Sequence, residues 1–281
     1  MLRTVLLPVD FSEDNALILA FAKGLPAIGV RRVILAHVVE VSGVEGHLIA
    51  QRVDEALTRI RTFAPELEAG GLLVEARVAT GDTVEEIGAL AIESQVDGVV
   101  YGSHAKTVMD QLLAGSVSER LLRDATIPHL VVRFDLLRNQ KDPSALLKQF
   151  GQKVVLPTDF SLSAARAFTV AIDLPKGVIK QLFLMHAVDP VLTGEKLRRA
   201  EEGAEFQLKN LQAMCAQQGV SASPTLQRES PIPAVLKEIE DRRATGVIVG
   251  TRGRNAVQEV LLGSVSMTLL RQASCPVLIV P

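Results

Sequence analysis

Apolar residues recur along this chain in two distinct patterns. In its second half, "KVVLPT" (153–158), "VIKQLFLMHAV" (178–188), "VSASPTLQ" (220–227), "GVIVG" (246–250) and "PVLIV" (276–280) are apolar-rich runs of strand length. Their bulk apolar character suits strands covered on both faces, as in a parallel sheet. Between them, 161–174, about 193–218, 231–243 and 264–273 show helical spacing, with Val265, Leu269, Leu270 and Ala273 forming one apolar face. Strands alternating with helices predict a doubly wound α/β architecture.

The pattern is written twice. "TVLLPVDFSEDNALILAFA" (4–22) returns as "VVLPTDFSLSAARAFTVAI" (154–172), and "VILAHVVE" (33–40) as "LFLMHAVD" (182–189). "DGVVYGS" (97–103) returns as "TGVIVGT" (245–251), and "GSVSERLLRDATIPHLVV" (115–132) as "GSVSMTLLRQASCPVLIV" (263–280). Asp10 and Asp159 lie 149 positions apart; Gly102 and Gly250, like Gly115 and Gly263, lie 148 apart. An offset of that size is a whole domain, so the chain is a tandem pair and not a solenoid. The expected boundaries are 1–137 and 152–281, joined by a polar linker at 138–151 that contains Pro143 and a short helix over "SALLKQF".

In an open parallel sheet, ligands sit at the carboxyl ends of strands where the strand order reverses. Two strand ends carry polar or glycine signals: Asp10 or Asp159 after the first strand, and Gly102 or Gly250 after the fourth. In "GTRGRNAVQEVLLGS" (250–264), Gly250 and Gly253 allow close backbone approach, and Gly263–Ser264 opens the last helix. The helix start, the hydroxyls of Ser264 and Ser266, and the charges of Arg252 and Arg254 make an anion seat. A plainer reading makes the glycines turn residues and Ser264 an N-cap, with Ser116-x-x-Glu119 a capping box in the first copy. Spacing alone leaves the two readings even. The loop is neither a Walker A sequence nor a GxGxxG fingerprint.

Charge adds a small bias. Residues 1–140 carry 13 basic against 19 acidic residues, a net of −6; residues 141–281 carry 17 against 13, a net of +4. The overall net of −2 argues against a general nucleic-acid or polybasic membrane binder. Only Cys215 and Cys275 are present, without CxxC spacing or a histidine cluster, which excludes disulfide scaffolds, zinc ribbons and thioredoxin-type chemistry. No signal-peptide pattern and no long apolar span are apparent, so a cytoplasmic location is expected.

The whole pattern resembles the universal stress protein family, over nearly the full chain and in two tandem copies. That family's nucleotide signature is glycine, two residues, glycine, nine residues, glycine and a small hydroxyl residue. Gly250, Gly253, Gly263 and Ser264 match it completely. The resemblance implies two Rossmann-like, adenine-nucleotide-binding domains, each a five-stranded parallel sheet with helices on both faces. It implies ATP as the ligand, with magnesium an option at the phosphates and no metal site built from protein side chains. Adenine and ribose fall to Pro157, Thr158, Asp159 and Ala187; ribose and phosphates to Val249, Gly250, Arg252 and Gly253. Distal phosphates fall to Gly263, Ser264, Val265 and Ser266. The first copy offers a weaker site at Asp10, Val38, Gly102, His104, Ala105, Gly115, Ser116 and Val117, with Ala105 and His104 replacing a glycine and an arginine. Family dimers form through the last strand, which implies an intramolecular pseudo-dimer across 129–134 and 276–280, and pairing of two chains as a further step.

Other residues weigh less. His37 and His186 recur at strand ends without a tied nucleophile and are read as structural. Cys275 reads as a small core residue. The leading function is therefore a stress-response module that binds ATP, mainly in its second domain, and works through regulatory protein partners. A non-nucleotide protective protein with vestigial glycine loops is a second class. A slow ATPase is third, because a phosphate cradle is present but no convincing base.

Overall fold

A computed structural model describes residues 2–41, 45–104, 117–123, 125–252 and 263–281. The chain divides into two compact units: Met1–Leu130 with Phe134–Lys148, and Gln149–Pro281 with Val131–Arg133.

The first unit opens with β1 (Thr4–Pro8), α1 (Asn15–Ala22), a short 3-10 turn (Leu25–Ile28) and β2 (Arg32–Val39). It continues with α2 (Gly46–Arg61), α3 (Ala64–Glu68), β3 (Leu73–Thr80), α4 (Thr83–Glu93), β4 (Gly98–Ser103), α5 (Val117–Arg123) and β5 (His129–Arg133). Two short helices follow, α6 (Phe134–Arg138) and α7 (Ala145–Gln149), the second over part of the expected "SALLKQF". The second unit runs β6 (Val154–Pro157), α8 (Leu162–Ile172), β7 (Gln181–Val188), α9 (Gly194–Gln217), β8 (Ser221–Arg228), α10 (Pro231–Arg242), β9 (Gly246–Gly250), α11 (Ser264–Gln272) and β10 (Val277–Val280).

Strand order is β3-β2-β1-β4-β5 in the first unit and β8-β7-β6-β9-β10 in the second. The described pairings are parallel, with Leu6 opposite Ile34 and Leu156 opposite Leu184. The central strands are apolar because helices cover both faces: Leu6, Leu7, Ile34, Leu156, Leu184 and Ile248 are fully buried. The outer strands β3 and β8 are mixed and partly exposed. Pro224 sits in the middle of β8, opposite Leu184.

The helices start where the local chemistry allows. Asp82 caps α4 by accepting from the backbone N–H groups of Val84 and Glu85, at 2.9 and 3.2 Å. Ser161 caps α8 by accepting from the Ala164 N–H at 3.2 Å. The strand order reverses between β1 and β4, and between β6 and β9, so each unit has a crevice at that point.

Candidate functional site

In the second unit the ends of β6, β7 and β9 and the start of α11 are joined by hydrogen bonds at the point of strand reversal. After β6 the chain turns sharply at "TDFS". Thr158 Oγ1 accepts from the Phe160 N–H, and Asp159 Oδ1 accepts from the Ser161 N–H, both at 3.0 Å. These side-chain turns hold Phe160 in the left-handed region, at φ 61°. Phe11 repeats the conformation in the first unit at φ 60°, where Asp10 Oδ1 accepts from both the N–H and the hydroxyl of Ser12. A bulky residue rarely adopts this backbone.

The recurrent histidines explain how it is kept. His186 Nδ1 donates to the Thr158 carbonyl at 2.7 Å, and its ring packs on Phe160 at 4.6 Å. His37 does the same with the Val9 carbonyl, at 2.6 Å, and with Phe11, at 4.3 Å. Each histidine ties its strand end to the turn beside it, which is a structural role.

At the end of β9 the backbone runs against α8. A Cβ at Gly250 would lie 2.4 Å from Ser163 Oγ and 2.7 Å from the Ser163 carbonyl carbon, so only glycine fits. The Arg252 N–H donates to Ser163 Oγ at 3.3 Å, and the Arg252 carbonyl accepts from Ser161 Oγ at 3.4 Å. Gly263 returns the chain to the same corner, its N–H donating to the Thr251 carbonyl at 2.7 Å.

Gly263, and not Ser264, occupies the cap position of α11, and among the described residues no side chain caps the helix start. Ser264 is the first helical residue and is exposed. Of the two even readings of this serine, the N-cap one does not match its place inside the helix. Ser266 is buried, and its hydroxyl donates to the Gly250 carbonyl at 2.6 Å, which fixes α11 to β9. Its proton is spent inside the protein, unlike the exposed hydroxyl of Ser264.

The remaining expected residues sort by position. Pro157, Thr158 and Val249 are buried, Ala187 and Val265 are half-buried, and Arg252 is exposed. Gly253 and Arg254 lie outside the described residues, as do Ala105, Gly115 and Ser116. In the first unit Val38 borders a cavity of about 420 Å³ also lined by Phe11, His37, Glu40, Arg52 and Arg59. The Arg59 guanidinium lies over the Phe11 ring at 4.4 Å. Gly102 faces Phe134, whose ring carbon Cζ would be 2.2 Å from a Cβ there. His104 is exposed and turned toward Asp14 and Phe134, and Val117 is exposed at the start of α5. Ser118 repeats the Ser266 contact, its hydroxyl donating to the Gly102 carbonyl at 3.4 Å.

One feature was not legible from spacing. Tyr101 and His129 form a buried pair in the first unit, with Tyr101 Oη 3.1 Å from His129 Nδ1, where the second unit has Val249 and Val277. Burial lowers the His129 pKa to about 4. Both thiols are buried and raised by desolvation, Cys215 to about 11 and Cys275 to about 12. Among the described residues, no group of three or more His, Cys, Asp or Glu side chains could hold a metal ion. No helix among them is long and apolar enough to cross a membrane.

Comparison with known proteins gives a consistent result. The family model described as "Universal stress protein family" matches residues 1–133 and 151–281. A universal stress protein of Methanocaldococcus jannaschii is 30% identical over 155 residues, spanning 47% of this chain and 96% of that protein. One from Thermus aquaticus is 33% identical over 135 residues, spanning 45% of this chain and 96% of its own length. The crystal structure of a universal stress protein from Archaeoglobus fulgidus superimposes with a TM-score of 0.77 at 23% identity. That match covers 99% of this chain and 95% of the other, and it establishes a shared fold over both units.

Proposed function

Because this chain belongs to the universal stress protein family, we propose that its second unit binds ATP and that the protein acts as a nucleotide-linked regulatory or protective module. The observation that carries this reading is the start of α11. Among the described residues its first turn has no side-chain cap, its first residue is an exposed serine, and Gly263 and Ser266 are tied to the end of β9. Uncapped N–H groups and the positive end of a helix favour an anion, and phosphate oxygens are the acceptors they fit.

The other residues follow from their places around that seat. Ser264 and the backbone of Val265 face the distal phosphates, Gly250 lets the end of β9 lie close against Ser163 of α8, and Arg252 supplies positive charge. Asp159, beside Pro157 and Thr158, accepts from ribose, and the Ala187 backbone meets the adenine. Magnesium, where present, is held mainly by the phosphates themselves. The protein works in the cytoplasm through protein partners that read its nucleotide state, and binding rather than turnover is the activity proposed.

Isothermal titration of the intact protein tests the reading. ATP should bind the wild-type chain, and Gly253→Val or Gly263→Val should abolish that binding while circular dichroism stays unchanged. Absence of adenine-nucleotide binding by the intact protein would sink it and leave the protective, nucleotide-free reading.

A further inference from the structure

The two units differ most where the chain leaves the strand that carries the first glycine. In the second unit the stitching is neutral: Arg252 contributes its N–H to Ser163 Oγ and its carbonyl to Ser161 Oγ. In the repeat, Asp14 stands at the position of Ser163, and His104 at that of Arg252. The carboxylate is met by a guanidinium and an imidazole. Arg138 donates to both Asp14 oxygens, at 2.6 and 2.7 Å, and His104 Nε2 lies 3.4 Å from Asp14 Oδ2.

The arrangement is held by packing as well as charge. Phe134, at the other end of the same short helix as Arg138, fills the space against Gly102 and stacks on His104 at 4.7 Å. The Asp14 side chain is only 14% exposed, whereas Arg138 and His104 are 52% and 65% exposed. The carboxylate thus sits inside a shell of groups that would otherwise be presented to solvent.

We propose that Asp14 is a tethered anion that holds the Arg138 guanidinium against phosphate, and so decides that the first unit does not take a nucleotide. A guanidinium meets a carboxylate and a phosphate with the same two-pronged geometry, so the two compete for Arg138. An anion attached to the chain competes at a high effective concentration, and an incoming phosphate must displace it. The serine at position 163 presents no such competitor in the second unit. The inference deepens the ATP reading, on which it rests for the second unit only.

The test uses the full chain and a reporter at the corner itself. The sequence contains no tryptophan, so Phe134→Trp places a single fluorophore there. ATP is titrated into F134W and into D14S/F134W, by calorimetry for stoichiometry and by tryptophan emission for location. F134W should take one ATP per chain with unchanged emission. D14S/F134W should take a second equivalent with an emission shift, its first-unit affinity raised roughly tenfold or more by removal of the charged competitor. Asp14→Asn keeps the side-chain shape, and D14N/F134W should give the same result should D14S fail to fold. An emission response of equal size with Asp14 present would overturn the inference. So would the lack of a second equivalent in both Asp14 variants while F134W still takes one. If the protein with Asp14 takes no ATP but the Asp14 variants take one with an emission shift, the second-unit assignment falls and the role of Asp14 stands.

Discussion

Ser264 separates a ligand site from a helix cap. As an exposed first helical residue it can be replaced by aspartate without loss of packing, and a carboxylate at a helix N-terminus stabilises the helix by ~0.3–1 kcal/mol. The same charge repels phosphate. Ser264→Asp should therefore abolish ATP binding in a calorimeter while leaving the urea midpoint equal or slightly higher. His129 gives a second residue-level expectation. Its folded pKa is depressed to about 4 from 6.5 by burial. The associated stability is fully present above pH 6.5 and is lost as pH falls from there toward 4, on the order of 3 kcal/mol in all. His129→Val, which installs the residue found at the equivalent position 277, should flatten that part of the pH profile in urea titrations.

Helices α5 and α11 are each pinned at the start by a serine, half-buried in the first unit and buried in the second, where the bond is short. Ser266→Ala would leave the buried Gly250 carbonyl without its donor, a loss of about 1–3 kcal/mol. Denaturant unfolding should show that loss, and ATP affinity should fall with it because the uncapped helix start is no longer held at the corner. Elements of this kind were largely legible beforehand. In the second copy the expected strands and helices agree with β6–β10 and α8–α11 to within three residues at each end, because their apolar periods are long and unbroken. The finer roles were not. "GSVS" contains two serines two residues apart, and nothing in the spacing says that the first is exposed and the second is buried against the strand. The left-handed Phe11 and Phe160 were hidden because phenylalanine seldom adopts that backbone. Asp with Ser two residues later was an available signal for the turn that imposes it. The pairing of Asp14 with Arg138 joins residues 124 positions apart, and no local pattern reports it.

At the scale of the whole molecule, duplication makes each unit a control for the other. Both carry the aspartate turn, the phenylalanine on histidine and the serine pin, so these recur with the fold and do not by themselves tell the two units apart. What differs between them is where function is to be sought: Arg252 against His104, Ser163 against Asp14, and valines against Tyr101 and His129. Hydrogen exchange with ATP at about 100 times its dissociation constant should slow amides around 158–161, 186–188, 249–252 and 264–266. The gain should approach ~2.7 kcal/mol in globally exchanging amides of the second unit. Amides of the first unit at 10–13 and 101–104 should not change, and protection of equal size there would contradict a one-site chain.

Pro224 carries a different kind of consequence. A terminal strand offers a row of unpaired donors and acceptors to any passing chain, and the longer and flatter the row, the greater the hazard of aggregation. A proline at the centre of β8 deletes one donor and breaks the row into two short pieces, neither long enough to template an added strand. The outer edge of the second unit is thereby a poorer template for an added strand. Pro224→Val would restore an uninterrupted row, and the first sign of it would be turbidity on refolding rather than any change in what the protein binds.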